Sequence, residues 1–112
     1  MENTFGQVIR QARKNKGYSQ RELAKLIGID FTYLSKLENN RADYPPKEDV
    51  IKIIAQELQL DCEELIFLAG RIPSNYSSLL QEHYQTMPVL FRRIREDSQF
   101  AAFLSDEMEK NS

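Results

Sequence analysis

The sequence predicts an all-α fold, with five short helices by residue 70 and a short helical C-terminal extension behind them. Two observations carry this prediction. Phe5, Val8, Ile9 and Ala12 recur at i, i+3, i+4 and i+7, the stripe of an amphipathic helix. Start and stop signals then punctuate the chain: Ser19-x-x-Glu22, Asp30 and Asp61-x-x-Glu64 as starts, Gly17, Gly28 and Gly70 as stops.

The first helix carries the Phe5–Ala12 stripe, and Gly17 closes it as a left-handed cap, with Lys14 and Lys16 near the negative end of the dipole. Ser19-x-x-Glu22 is a capping box that opens the second helix. Leu23, Ala24 and Ile27 face inward from it, and Gly28 turns the corner at positive φ. Asp30 caps a third helix whose inward residues are Leu34 and Leu37, with Phe31, Thr32, Ser35 and Lys36 on the other side. Asn39-Asn40 ends it. Pro46 is placed to open a fourth helix that buries Val50, Ile53, Ile54 and Leu58. Asp61-x-x-Glu64 starts a fifth, with Leu65, Ile66, Leu68 and Ala69, and Gly70 stops it. Residues 71–78 are punctuation, after which Leu79–Tyr84, Pro88–Ile94 and Phe100–Met108 read as helical. The division is a domain over 1–72 and an extension over 73–112.

A chain of 112 residues holds one domain, or one with an appendage. Its longest apolar runs, Leu65–Ala69 and Phe100–Leu104, are far too short to span a bilayer, so no membrane association is expected. The N-terminus lacks the pattern of a signal peptide, and the single cysteine, Cys62, excludes an internal disulfide. A reducing cytoplasm is the expected location. The net charge is only −2, but it is unevenly spread. Arg10, Arg13, Lys14, Lys16 and Arg21 follow one another without an intervening acid. Residues 74–112 hold four cations against six anions and so carry the whole excess. A near-neutral average thus conceals a basic N-terminal cluster.

Two short helices about a tight corner, the second showing small and polar side chains outward, form a device for laying a helix in the DNA major groove. Residues 5–70 resemble the helix-turn-helix domain of the phage-repressor-like (Cro/XRE) family of transcription regulators. The matched pattern is Ser19-Gln20, Glu22-Leu23-Ala24, Gly28-Ile29, Leu34-Ser35 and Leu37-Glu38. The resemblance implies a five-helix repressor-like DNA-binding domain. It places Gln20 near a phosphate at the start of the second helix, where the helix terminus already favours an anion. It places Thr32, Ser35 and Lys36 against base edges or neighbouring phosphates. Asn39, Asn40 and Arg41 fall where relatives grip the phosphate backbone just past the recognition helix, and Asn40 stands where a Gly is usual. Arg13 and Glu38 match an internal salt bridge joining the first helix to the end of the third.

Phe31 departs from the pattern, since many relatives carry a polar, adenine-reading residue there. Two readings stand side by side: contact with a thymine methyl, or a ring folded back into the core. Arg10 and Lys14 are phosphate contacts or simply a solvated basic face, and Tyr44 carries a weaker claim to contact.

Other chemistries find no support. One histidine, His83, and one thiol, Cys62, build no metal site. The glycines form no phosphate loop, and no nucleophile–base arrangement appears. Cys62 is read as structural in preference to redox-sensing. The expectation is a non-enzymatic, cofactor-free regulator: a repressor that binds double-stranded DNA as a homodimer on a pseudo-palindromic operator. Leu79, Leu80, Tyr84, Val89, Leu90, Phe91 and Ile94 make 73–112 a dimer or protein-partner surface, or a segment that packs on its own domain. The rival reading is an antitoxin-like or peptidase-partnered interaction module whose DNA binding is secondary.

Overall fold

The computed structural model describes residues 3–110. Helices are α1 (Phe5–Asn15), α2 (Gln20–Ile27), α3 (Phe31–Glu38), α4 (Glu48–Leu58) and α5 (Cys62–Leu68). A single 3-10 turn (Ser74–Tyr76) precedes α6 (Ser77–Glu82), α7 (Thr86–Glu96) and α8 (Ser98–Lys110). The fold is all-helical, and no strand occurs among the described residues. The chain divides into two compact units that meet in sequence between Ser74 and Asn75.

The helix ends follow from local chemistry. The Ser19 hydroxyl accepts from the Glu22 amide at 3.0 Å, and the Ser19 amide donates to the Glu22 carboxylate at 2.9 Å. The bond from the Ser19 amide, with a further contribution from its side chain, holds the Glu22 carboxyl below its ordinary pKa. Thr4 and Gln7 form a second capping box at the start of α1. Asp30 and Asp61 accept from the amides of Tyr33 and Glu64. Gly28 ends α2 at φ +72°, which frees the chain to turn sharply into α3.

The core of the first unit lies where α1 to α5 converge. Ile9, Leu23, Leu34, Ile51, Ile54 and Ile66 are its fully buried large side chains. Helix α4 differs from the sequence expectation in two respects. It begins at Glu48, with Lys47 as an extended N-cap, so Pro46 lies outside it. The Pro46 carbonyl instead accepts from Arg71 Nε at 2.6 Å, and Ser74 donates to Glu48 through both its amide and its hydroxyl. These bonds tie the segment after α5 to the start of α4. The phase of α4 also differs: Ile51, Ile54, Ala55 and Leu58 are buried, Val50 is half-buried, and Ile53 is exposed. The true stripe runs i, i+3, i+4, i+7 from Ile51. In α5, Leu65 and Ile66 are buried while Leu68 is exposed.

In the second unit α7 and α8 pack together, with Arg93 4.1 Å above the Phe100 ring. Helix α6 ends at Glu82, which leaves Tyr84 beyond it. None of the described residues of this unit is buried, and Val89, Phe91, Ile94, Phe103 and Met108 are exposed.

Candidate nucleic-acid interface

The corner between α2 and α3 is braced from within by one buried carboxylate. Glu38, only 1% exposed, lies at the last position of α3. Arg13 donates to it through two nitrogens, Nε to Oε2 at 2.7 Å and Nη2 to Oε1 at 3.0 Å. Gln20 Nε2 donates to Oε1 at 2.9 Å, and Arg10 Nε lies 3.5 Å from the same oxygen. The third nitrogen of Arg13 donates to the Tyr18 carbonyl at 2.8 Å. Burial alone would raise the Glu38 pKa. The hydrogen bonds from Arg13 and Gln20, the Arg13 charge and the Arg10 contact outweigh it, and the pKa is lowered. One side chain thereby joins α1, the start of α2 and the end of α3. A buried bidentate pair of this kind fixes geometry more surely than it adds net stability.

The N-terminus of α1 meets the C-terminal end of α3 at close range. A Cβ on Gly6 would lie 2.4 Å from the Glu38 carbonyl oxygen and 2.6 Å from that of Leu37. The Gly6 amide donates to Asn40 Oδ1 at 3.1 Å, and Asn40 Nδ2 donates to Thr4 Oγ1 at 3.0 Å. Asn40 sits at φ +56°, so it performs the left-handed turn usually given to Gly and adds a side-chain tie to α1. Gly6 was not singled out from the sequence. The available signal was a residue without a side chain beside Phe5 and Ile9 on an otherwise apolar stripe.

On the outer side of α3, Thr32 and Lys36 are exposed and Ser35 is half-buried. Arg41, just past the helix, is exposed. Among the described residues no carboxylate pairs with Lys36 or Arg41. Asn39 is exposed, but its side chain is engaged: Nδ2 donates to the Ser35 carbonyl at 2.9 Å, and Oδ1 accepts from Arg10. Gln20 is half-buried and spends one amide N–H on Glu38. Phe31 is half-buried against the core, with the Arg21 guanidinium 4.2 Å above its ring centre. The Phe31 ring thus packs inward, as the second of its two readings has it, and also carries the Arg21 cation.

The surface around α3 carries several cations, alongside the exposed carboxylates of Asp30 and Asp43. Arg10, Arg21, Lys36 and Arg41 border it, the Glu38 charge is buried and paired, and Asp30 is occupied as a helix cap. The exposed face has donors suited to phosphates and base edges. Among the described residues no group of His, Cys, Asp and Glu is arranged to hold a metal, and no helix is long and apolar enough to cross a membrane.

Comparison with known proteins leads to the same place. Residues 9–65 match the helix-turn-helix family HTH_3. The chain is 33% identical over 83 residues to the HTH-type transcriptional regulator SinR of Bacillus licheniformis, across 74% of this chain and 72% of that protein. It is 28% identical over 97 residues to the competence pilus inhibition repressor of Acinetobacter baylyi, across 85% and 84% of the two chains. Among solved structures, SinR in complex with DNA superposes with a TM-score of 0.52 at 35% identity, covering 56% of this chain and 98% of that one. The SinR–SinI complex superposes with a TM-score of 0.52 at 26% identity, covering 96% and 98%.

Proposed function

The chain belongs to the phage-repressor-like (Cro/XRE) helix-turn-helix family of DNA-binding transcription regulators, and from that premise we propose that it is a cytoplasmic repressor acting as a homodimer on a pseudo-palindromic operator. The observation that carries this reading is exposed Thr32 and Lys36 on α3 beside Arg41, which has no carboxylate partner among the described residues, on a helix whose two ends are fixed by Asp30 and Glu38. The names of two relatives, a transcriptional regulator and a repressor, support it. Thr32 and Lys36 read base edges from the major groove, the Lys ammonium donating to guanine O6 or N7 and the Thr methyl packing on thymine. Ser35 contacts the groove wall, and Arg41 binds a phosphate just past the helix. Gln20 gives its second amide N–H to a phosphate at the α2 N-terminus, where the backbone already favours an anion. Asn39 acts at the backbone through the Arg10 guanidinium that it orients.

A homodimer presents two such helices about one turn of DNA, ~34 Å, apart. Repression follows from occupying an operator that overlaps a promoter, and the domain performs no catalysis of its own. Genome-wide mapping of bound DNA tests this: the reading requires recovered sites to share a two-fold symmetric element near promoters. Asymmetric sites, or none above background, would refute it. A second reading has specific support, because the SinR–SinI protein complex aligns with 96% of this chain. On that reading residues 73–112 bind a protein partner that modulates DNA binding. A stoichiometric partner that co-purifies with the full chain, and not with a chain carrying polar substitutions at Phe91 and Phe103, tests it.

A further inference from the structure

The arginines of the first unit fall into two groups. Arg10, Arg13 and Arg71 donate to acceptors of the protein itself, from Glu38 and Asn39 to the Tyr18, Pro45 and Pro46 carbonyls. Arg21, like the exposed Arg41, has no carboxylate partner among the described residues. It is nonetheless positioned, because its guanidinium lies 4.2 Å above the centre of the Phe31 ring. Phe31 is in turn held by packing against the core and is the first residue of α3. A guanidinium that rests on a ring through its face keeps the N–H groups on its edge free for paired acceptors. Its place over the Phe31 ring puts the guanidinium at the N-terminal end of α3, the end that meets base edges when such a helix enters the major groove.

We propose that Arg21 is a further DNA-contact residue of this chain and that Phe31 is its positioning platform. The contact takes a pair of acceptors on the duplex, either two oxygens of one phosphate or O6 and N7 of a guanine. Phe31 thus influences recognition without a hydrogen bond of its own, which accounts for an aromatic residue at the head of a reading helix. The inference rests on the DNA-binding reading above.

The test measures affinity for a duplex recovered by selection on the unsubstituted chain, with Arg21→Ala, Arg21→Lys, Phe31→Leu and Phe31→Tyr, across a salt series. Arg21→Ala is expected to weaken binding about tenfold or more while leaving the melting midpoint nearly unchanged. Arg21→Lys, which lacks the planar fork, is expected to fall short of the original chain. Phe31→Leu should reproduce much of the loss and Phe31→Tyr should retain affinity. Phe31→Leu added to Arg21→Ala should weaken binding little further, since the two act as a unit. A phosphate contact appears as a salt slope reduced by about one with preference unchanged, and a guanine contact as relaxed preference at one position. Either pattern supports the proposal. Arg21→Ala binding as tightly as the original chain overturns it, as do independent, multiplying losses from Arg21 and Phe31. Failure of the unsubstituted chain to select any duplex overturns the DNA-binding reading as well.

Discussion

Replacing Glu38 by Gln is the perturbation with the largest effect expected on the frame that holds α3. The substitution preserves shape but removes the charge that compensates Arg13, whose side chain is only 10% exposed. It also turns an NH2 group toward a cluster of donors from Arg13, Gln20 and Arg10. Removing one partner of a buried ion pair costs about 3–5 kcal/mol. At the low end, with ~4 °C lost per kcal/mol for a unit of this size, the melting midpoint falls by at least about 12 °C. Thermal melts followed by circular dichroism measure this directly. Replacing both partners with apolar residues, Arg13→Met with Glu38→Leu, should recover most of the loss. Gln20 is half-buried and Arg10 partly exposed, so both can turn to water when Glu38 is gone. The pH dependence has a definite sign. The folded pKa of Glu38 is depressed, so its contribution is complete above the ordinary glutamate value of ~4.3 and is lost as pH falls through the lower folded value. Glu38→Gln should remove that part of the acid limb. A midpoint change of only a few degrees, or a double variant as unstable as the single one, would refute the argument.

Gly6→Ala should destabilise the fold by about 1–3 kcal/mol, because the new Cβ meets the carbonyls at the end of α3. This runs against the helix propensity of Ala and is measured by urea unfolding. Gly28→Ala should cost about 1–2 kcal/mol for a different reason: nothing crowds the site, but φ is +72°. Thr32→Ala and Lys36→Ala should leave stability within about 0.5 kcal/mol, as both residues are exposed, while each weakens specific DNA binding by ~1–3 kcal/mol in a titration.

The corner of the fold was legible because its determinants are local. Ser19, Glu22, Asp30 and Gly28 act within a few residues of themselves, so their spacing alone locates the ends of α2 and the start of α3. The all-helical class followed from such signals and from the apolar stripes. The phase of α4 was less legible, because Val50, Ile51, Ile53 and Ile54 are all apolar and only packing selects Ile51 over Ile53. Pro46 misled for a related reason: its carbonyl is taken by a residue distant in sequence, Arg71, and the helix begins at Glu48. At the site, outward residues of α3 could be read from helical spacing. The engagement of Gln20 and Arg10 with Glu38, the close approach at Gly6 and the Arg21–Phe31 stack could not, since each joins residues distant in sequence.

The central claim is that α3 and the start of α2 are the surface that meets DNA. An NMR titration of the isotopically labelled full chain with its selected duplex tests it residue by residue. The account predicts amide shift changes concentrated at 19–22 and 31–41, weakening steeply as salt rises. Changes centred on α4 or α5 instead, or equal changes with an unrelated duplex at matched salt, would contradict it.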